Sequence, residues 1–271
     1  MAAEAPPAVA RPHREGLGTW GRLRRATPWW AQPLTVVAAL AAFTGYSIWT
    51  SFFGPGPNHV AEAGPYLSPF FSPLWWKTGP VTPALWVLWS PLGFRATCYY
   101  YRKAYYRSFF ADPPGCAIRE PQLLAGASPT GRGAAYRGES RLPFVLNNLH
   151  RFLMYFAVGF VVVLWIDAYN AFWYHGHLGF GLGTALMLAN IVFLTGYTFG
   201  CHSLRHLVGG GVDCFSCALG GRQRHRAWKG VSWLNARHST FAWISLFTLI
   251  ATDLYIRLLQ YGVIHDPHLG F

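Results

Sequence analysis

Five apolar stretches divide the chain, each close to the roughly 20 residues a helix needs to cross a hydrocarbon core. PLTVVAALAAFTGYSIWTSFF covers 33–53, VTPALWVLWSPLGFRATCYYY 81–101, PFVLNNLHRFLMYFAVGFVVVLW 143–165 and FGLGTALMLANIVFLTGYTFGCHSL 180–204; the fifth spans 231–259. Pro91 and Arg95 interrupt the second. The pattern predicts an all-α polytopic membrane protein. Its single five-helix transmembrane domain covers 33–262, between a basic tail at 1–32 and a short tail at 263–271. Pro143 suits the start of the third helix, and Gly209, Gly210 and Gly211 should end the fourth. Trp29, Trp30, Trp75 and Trp76 flank apolar runs, as interfacial aromatics do. YYYRKAYYRSFF, 99–110, is expected to carry the second helix into the interface, with Arg102, Lys103 and Arg107 reaching phosphates or an acidic partner.

Composition agrees. Only 12% of the 271 residues are charged, against roughly 25% in soluble proteins. The net charge of +12 would suggest nucleic acid if it were spread over the surface. It is not. Lys and Arg number 5 in 1–32, 1 in 54–80, 7 in 102–142, none in 166–179, 5 in 205–230 and none after Arg257. Alternate loops are basic, so the positive-inside rule puts the N-terminus and the loops 102–142 and 205–230 in the cytoplasm and the C-terminus outside. Nucleic acid is not an expected partner. A basic tail of about thirty residues before the first apolar run also argues against a cleaved signal peptide.

On this topology all five cysteines are cytoplasmic, a reducing compartment where structural disulfides are a poor explanation. Cys98 and Cys201 fall within about a turn of the inner ends of helices two and four. His150 and His238 fall about two turns inside helices three and five. At 1.5 Å per residue, the four lie roughly 5–12 Å below the inner boundary. Four helices thus each bring one metal-competent side chain to a similar depth.

Blander readings exist for each residue. A lone Cys in a helix is most often a small apolar residue, and a lone intramembrane His can be a hydrogen-bonded packing residue. Recurrence at one depth favours a redox centre. Arg95, Arg151, Arg205 and Arg237 ring the same layer, where anionic lipid, a quinone head group or a negative cofactor can use them. His202 and His206, four apart on helix four, share a face. With Cys214 and Cys217 of the C-x-x-C they suggest a local Cys₂His₂ zinc knuckle, or reserve ligands. Cys116, in a Gly/Pro-rich loop, has no expected role.

TCYYYRKAYYRSF (97–109), NNLHRFLMYF (147–156), GCHSLRHLVGG (200–210), LNARHSTFAW (234–243) and ATDLYIRLL (251–259) resemble one family. It is the membrane-anchor subunit of actinobacterial-type succinate dehydrogenase or fumarate reductase, respiratory complex II. The resemblance runs from about residue 30 to the C-terminus. It implies a plasma-membrane anchor holding a flavoprotein subunit and an iron–sulfur subunit on the cytoplasmic face. Succinate chemistry would occur in the partners and electrons would pass to quinone. Oligomeric state stays open. Five-helix anchors of complex II commonly carry b haem, and the subgroup with these motifs is associated with an intramembrane Rieske-type [2Fe–2S] cluster. That centre takes two Cys and two His, which Cys98, Cys201, His150 and His238 supply. Relatives are expected to read CHSCRH where this chain reads CHSLRH, with Leu204 in place of Cys. Arg95, Tyr99, Tyr100 and His206 are the expected quinone contacts.

Two rivals stand beside the cluster. His150 and His238 could ligate one b haem, leaving the thiols as packing residues. Alternatively, a transporter-like bundle could use Asp167 and Asp253, expected near the outer ends of their spans where solvation is easy. No internal repeat supports transport.

Overall fold

The computed structural model describes residues 28, 30–79, 81–101, 104, 144–209, 214–217 and 219–270. Most of the basic tail 1–32, most of the 102–142 loop and Cys116 therefore lie outside the described residues. Seven α-helices are described: α1 (Ala31–Phe52), α2 (Pro83–Thr97), α3 (His150–Asn170), α4 (Leu182–Phe199), α5 (His202–Gly209), α6 (Gly221–Ala236) and α7 (His238–Gln260). α4 and α7 form the central pair. α3 packs on α4, α2 packs on α3, and α1 lies against α7.

Four helices, α1, α3, α4 and α7, are long and apolar enough to span a membrane. The remaining expected span, the second, is shorter than its apolar window. α2 has 15 residues, about 22 Å at 1.5 Å per residue, against a core about 30 Å thick. Pro91 is accommodated inside it. The helix stops at Cys98, whose φ of −60° and ψ of 130° are extended, and helical residues resume at Tyr99–Tyr101.

The other boundaries shift for related reasons. The third helix does not start at Pro143: a 3₁₀ turn, Phe144–Leu149, precedes α3 at His150. The fourth span breaks at Gly200 and Cys201 rather than at the glycine run, so His202 and His206 sit on the separate α5. There Asn235 Nδ2 donates to Gly200 O at 2.8 Å, taking a carbonyl that a longer helix would have used. A Cβ on Gly200 would lie 3.1 Å from Leu234 O and 3.2 Å from His238 Nδ1, so glycine permits this close crossing. The fifth window, 231–259, splits at Arg237 into α6 and α7. α6, GRQRHRAWKGVSWLNA, is a basic helix in its own right, although its stretch reads as loop running into span.

The opposite end is closed by the segment after α1. It forms the hairpin β1 (Glu62–Ala63) with β2 (Tyr66–Leu67) and folds inward, so that Val60, Ala61, Phe70 and Phe71 are buried among α2, α3, α4 and α7 residues. Strands β3 (Trp173–Tyr174) and β4 (His177–Leu178) form a second hairpin. β5 (Phe180–Gly181) pairs with β6 (His268–Leu269), which ties the expected external tail to the start of α4.

Candidate redox site

All four residues singled out for depth sit at helix breaks. Cys98 caps the end of α2. Cys201 lies between α4 and α5. His150 and His238 are the first residues of α3 and α7, not two turns inside them as the apolar windows suggested. Leaving the helical path points several side chains from one level toward a common space. They, with Thr97, Tyr99, Tyr100, Asn148, Arg151, His202 and Ser203, line a cavity of about 310 Å³. Cys98 and Cys201 are buried free thiols.

The four side chains meet in two pairs, each one thiol and one imidazole. Cys98 Sγ is 3.3 Å from His238 Nε2, and Cys201 Sγ is 2.9 Å from His150 Nε2. Among the described residues no three His, Cys, Asp or Glu side chains converge on one metal-sized point. Two thiols and two imidazoles around one cavity could hold a binuclear group whose irons take like ligands in pairs, so the observed thiol–imidazole contacts cross between the two sets.

The surroundings orient both rings. His150 stacks on Phe94 at 4.7 Å with an interplanar angle of 4°. His238 stacks on Tyr197 at 4.9 Å and 17°. Thr97 Oγ1 donates to Gly93 O at 2.8 Å, so its oxygen is left to accept from His150 Nδ1, 3.0 Å away. That arrangement assigns the proton to Nδ1 and leaves Nε2 bare toward the cavity, the tautomer a metal ligand needs. Cys201 Sγ accepts from the Ser203 amide at 3.3 Å, as a helix N-cap does.

With this geometry in view, similarity to known proteins becomes specific. The sequence profile of the family described as actinobacterial succinate dehydrogenase subunit SdhC matches residues 31–262. The chain belongs to that family. It is a succinate dehydrogenase subunit, and succinate chemistry falls to a partner. The solved "Mycobacterium smegmatis Sdh1 complex in the apo form" contains a chain 36% identical to this one, with a TM-score of 0.72, covering 97% of this chain and 96% of that one. No curated protein matches the chain.

Within this SdhC-type chain the remaining candidates separate. Tyr99 and Tyr100 line the cavity, and Tyr100 Oη accepts from Trp243 Nε1 at 2.7 Å. His206 instead lines an adjoining hollow with His202, Ser203, Arg205, Gly209 and Trp228. Arg95 does not line the cavity either. Its buried guanidinium turns into the bundle and donates to Tyr101 Oη at 2.7 Å and Ser245 Oγ at 3.0 Å. It borders a separate void of about 50 Å³. Leu204, where relatives are expected to carry Cys, packs against the cluster holding Cys98 and Cys201.

The C-x-x-C departs from expectation. Cys214 is disulfide-bonded; the Cys217 side chain lies outside the described residues. A disulfide leaves Cys214 no thiolate for a zinc knuckle.

Sequence reasoning missed the polar layer at the other end. Asp253 is not solvated; it is fully buried. Its carboxylate accepts from Tyr46 Oη at 2.5 Å and from Ser68 Oγ, and pairs with Arg257 Nε at 2.9 Å. Arg257 also donates to Phe53 O at 2.8 Å and Thr50 O at 2.9 Å. Opposite charges four apart inside an apolar run are the signal that could have found it. Asp167 accepts from Ser72. Asp266 accepts from Tyr66 at 2.6 Å, Tyr255 at 2.5 Å and the Gly183 amide at 3.1 Å. Burial, reinforced by Asp266, pushes the Tyr66 phenol up to about 12, so it remains a donor.

Proposed function

We propose that this SdhC-family chain anchors a complex II and carries electrons through a Rieske-type [2Fe–2S] cluster held by Cys98, Cys201, His150 and His238. The observation that carries this reading is the convergence of two thiol–imidazole pairs from four helix breaks around one cavity. When bound, such a cluster supplies one-electron transfer between the iron–sulfur subunit and quinone. The protein's part is to hold the imidazoles by stacking, keep Nε2 bare through Thr97 and exclude bulk water. Tyr99 and Tyr100, on the cavity rim, are the quinone contacts this reading favours. His206 and Arg151 edge the neighbouring hollow, where quinone or an anionic lipid can meet them.

Charge distribution supports the orientation. The described carboxylates, Glu62, Asp167, Asp253 and Asp266, belong to the end opposite the cavity with Lys77 and Arg257, which pair with two of them, whereas the other described Lys and Arg side chains belong to the cavity end. The positive-inside rule makes the cavity end cytoplasmic, with α2 as a fifth, shorter membrane helix. The flavoprotein and iron–sulfur subunits then dock on that face of the plasma membrane.

A b haem is the weaker reading. A site with two axial imidazoles would leave the two thiols that line the same cavity without a role. Iron and acid-labile sulfide in the purified complex, compared with Cys98→Ser, test the proposal. The variant should lose two irons and two sulfides per chain; an unchanged content contradicts it.

A further inference from the structure

A second polar layer borders the separate void of about 50 Å³, and orientation of the histidines does not explain it. Tyr197 is fully buried on α4, and its hydroxyl makes no hydrogen bond of normal geometry among the described residues. Leaving a buried hydroxyl unpaired costs about 1–3 kcal/mol. Tyr197 and Cys98 belong to one buried cluster and meet at the same imidazole: the Tyr197 ring stacks on His238 at 4.9 Å, and Cys98 Sγ lies 3.3 Å from His238 Nε2. Arg95 Cζ sits 4.6 Å from the centre of the same Tyr197 ring. Arg95 is 7% exposed, and its described partners are the uncharged Tyr101 Oη, Ala242 O and Ser245 Oγ. No carboxylate among the described residues pairs with it. A buried cation without a counter-charge is costly in a membrane bundle. Arg257, the other buried arginine, has Asp253. Arg95 precedes Cys98 by three residues, and its guanidinium lies over the ring whose hydroxyl is unpaired.

We propose that Tyr197 and Arg95 are positioning residues for an anionic metal centre: Tyr197 donates a hydrogen bond to the Cys98 sulphur, and Arg95 supplies the fixed positive charge that balances it. The inference rests on the cluster reading above and adds to it. Metal binding requires the thiol as thiolate, which converts Cys98 into the acceptor the Tyr197 hydroxyl lacks. Reduction adds a further negative charge, so both groups favour the reduced form and raise the potential. A purely structural role, tying α2 to α7, predicts no such effect.

The test is an EPR-monitored redox titration of the assembled complex, wild type against Tyr197→Phe, Arg95→Gln and Arg95→Lys. Tyr197→Phe keeps the ring that stacks on His238 and removes one oxygen. It should shift the reduction equilibrium threefold to tenfold toward the oxidised form, about 28–59 mV for a one-electron couple. Arg95→Gln should shift it at least tenfold in the same direction, and Arg95→Lys, which keeps the charge, by less. A wild-type potential in Tyr197→Phe with the cluster signal intact overturns the inference and leaves the cluster reading standing. Absence of any cluster signal in the wild type overturns both. Should Arg95→Gln fail to assemble, Tyr197→Phe alone decides.

Discussion

Two polar layers interrupt this apolar bundle, and they are built on opposite principles. At one end Asp253, Arg257, Tyr46, Ser68 and Thr50 satisfy one another, and Asp266 gathers two tyrosines and an amide. Charges there are paired in regular helix or held by the inward-folded hairpin segment. At the other end Cys98, Cys201, His150 and His238 sit on helix breaks around a cavity of about 310 Å³, while Arg95 of α2 and Tyr197 of α4 border a separate void. Arg95 lacks a described carboxylate, the Tyr197 hydroxyl is unpaired, and His238 Nδ1 has no partner in hydrogen-bond geometry, although the Tyr197 backbone lies beside it. The first layer is nearly saturated, although Gln260 Oε1 and Thr82 Oγ1 at that end lack a partner among the described residues, and it stabilises the fold. An unsaturated layer is receptive, because a ligand can satisfy what the protein has left open.

The contrast can be broken from either side. The largest effect is expected at the donors: Cys98→Ser, Cys201→Ser, His150→Ala and His238→Ala should each abolish quinone reduction and deplete iron while the subunit still assembles. The loss should exceed the 10–100-fold that outer-shell changes cost. Iron content and quinone reductase activity measure it, and activity surviving all four rejects the set. Next, Arg257→Met should do the reverse, lowering stability by about 3–5 kcal/mol by stranding a buried carboxylate while iron stays stoichiometric in the folded fraction. Thermal unfolding in detergent reads the first and metal analysis the second. Loss of iron from folded Arg257→Met protein would show that the layers are not separable.

Smaller changes sharpen the comparison. Thr97→Val removes the oxygen that fixes the His150 tautomer, and should weaken cluster retention about 10–100-fold without moving the melting temperature much. Chelator-driven loss of the iron–sulfur signal over time would measure that. Asp266→Asn keeps the shape but weakens the acceptor of Tyr66 and Tyr255, and should cost about 1–3 kcal/mol, again with no loss of iron.

The sequence made membrane class, helix order and the four side chains that the fold brings around one cavity legible, because apolar length and loop charge are properties averaged over twenty residues. The breaks were not legible, because they depend on single contacts. Asn235 taking the Gly200 carbonyl is a tertiary event invisible in GCHSLRH. Cys98 leaves the helix in a run, RATCYYY, with neither Gly nor Pro to mark it. The depth argument still found the right neighbourhood, since residues at helix ends and residues two turns inside differ by about 10 Å at 1.5 Å per residue. Asp253 was misread for the opposite reason: nearness to a span end suggested water, but Val60, Phe70 and Phe71 of the hairpin segment seal that end. Leu204 gives no sign of a missing ligand, because it packs as a partly buried apolar side chain against the thiol cluster.

The central claim is that the unsaturated layer holds an iron–sulfur centre. Low-temperature EPR of the dithionite-reduced complex, paired with a reduced-minus-oxidised visible spectrum, tests it most directly. The account predicts a broad Rieske-type signal that disappears in His150→Ala and His238→Ala, with no sharp haem α-bands. Sharp α-bands that vanish in the same two variants, without a cluster signal, would contradict it.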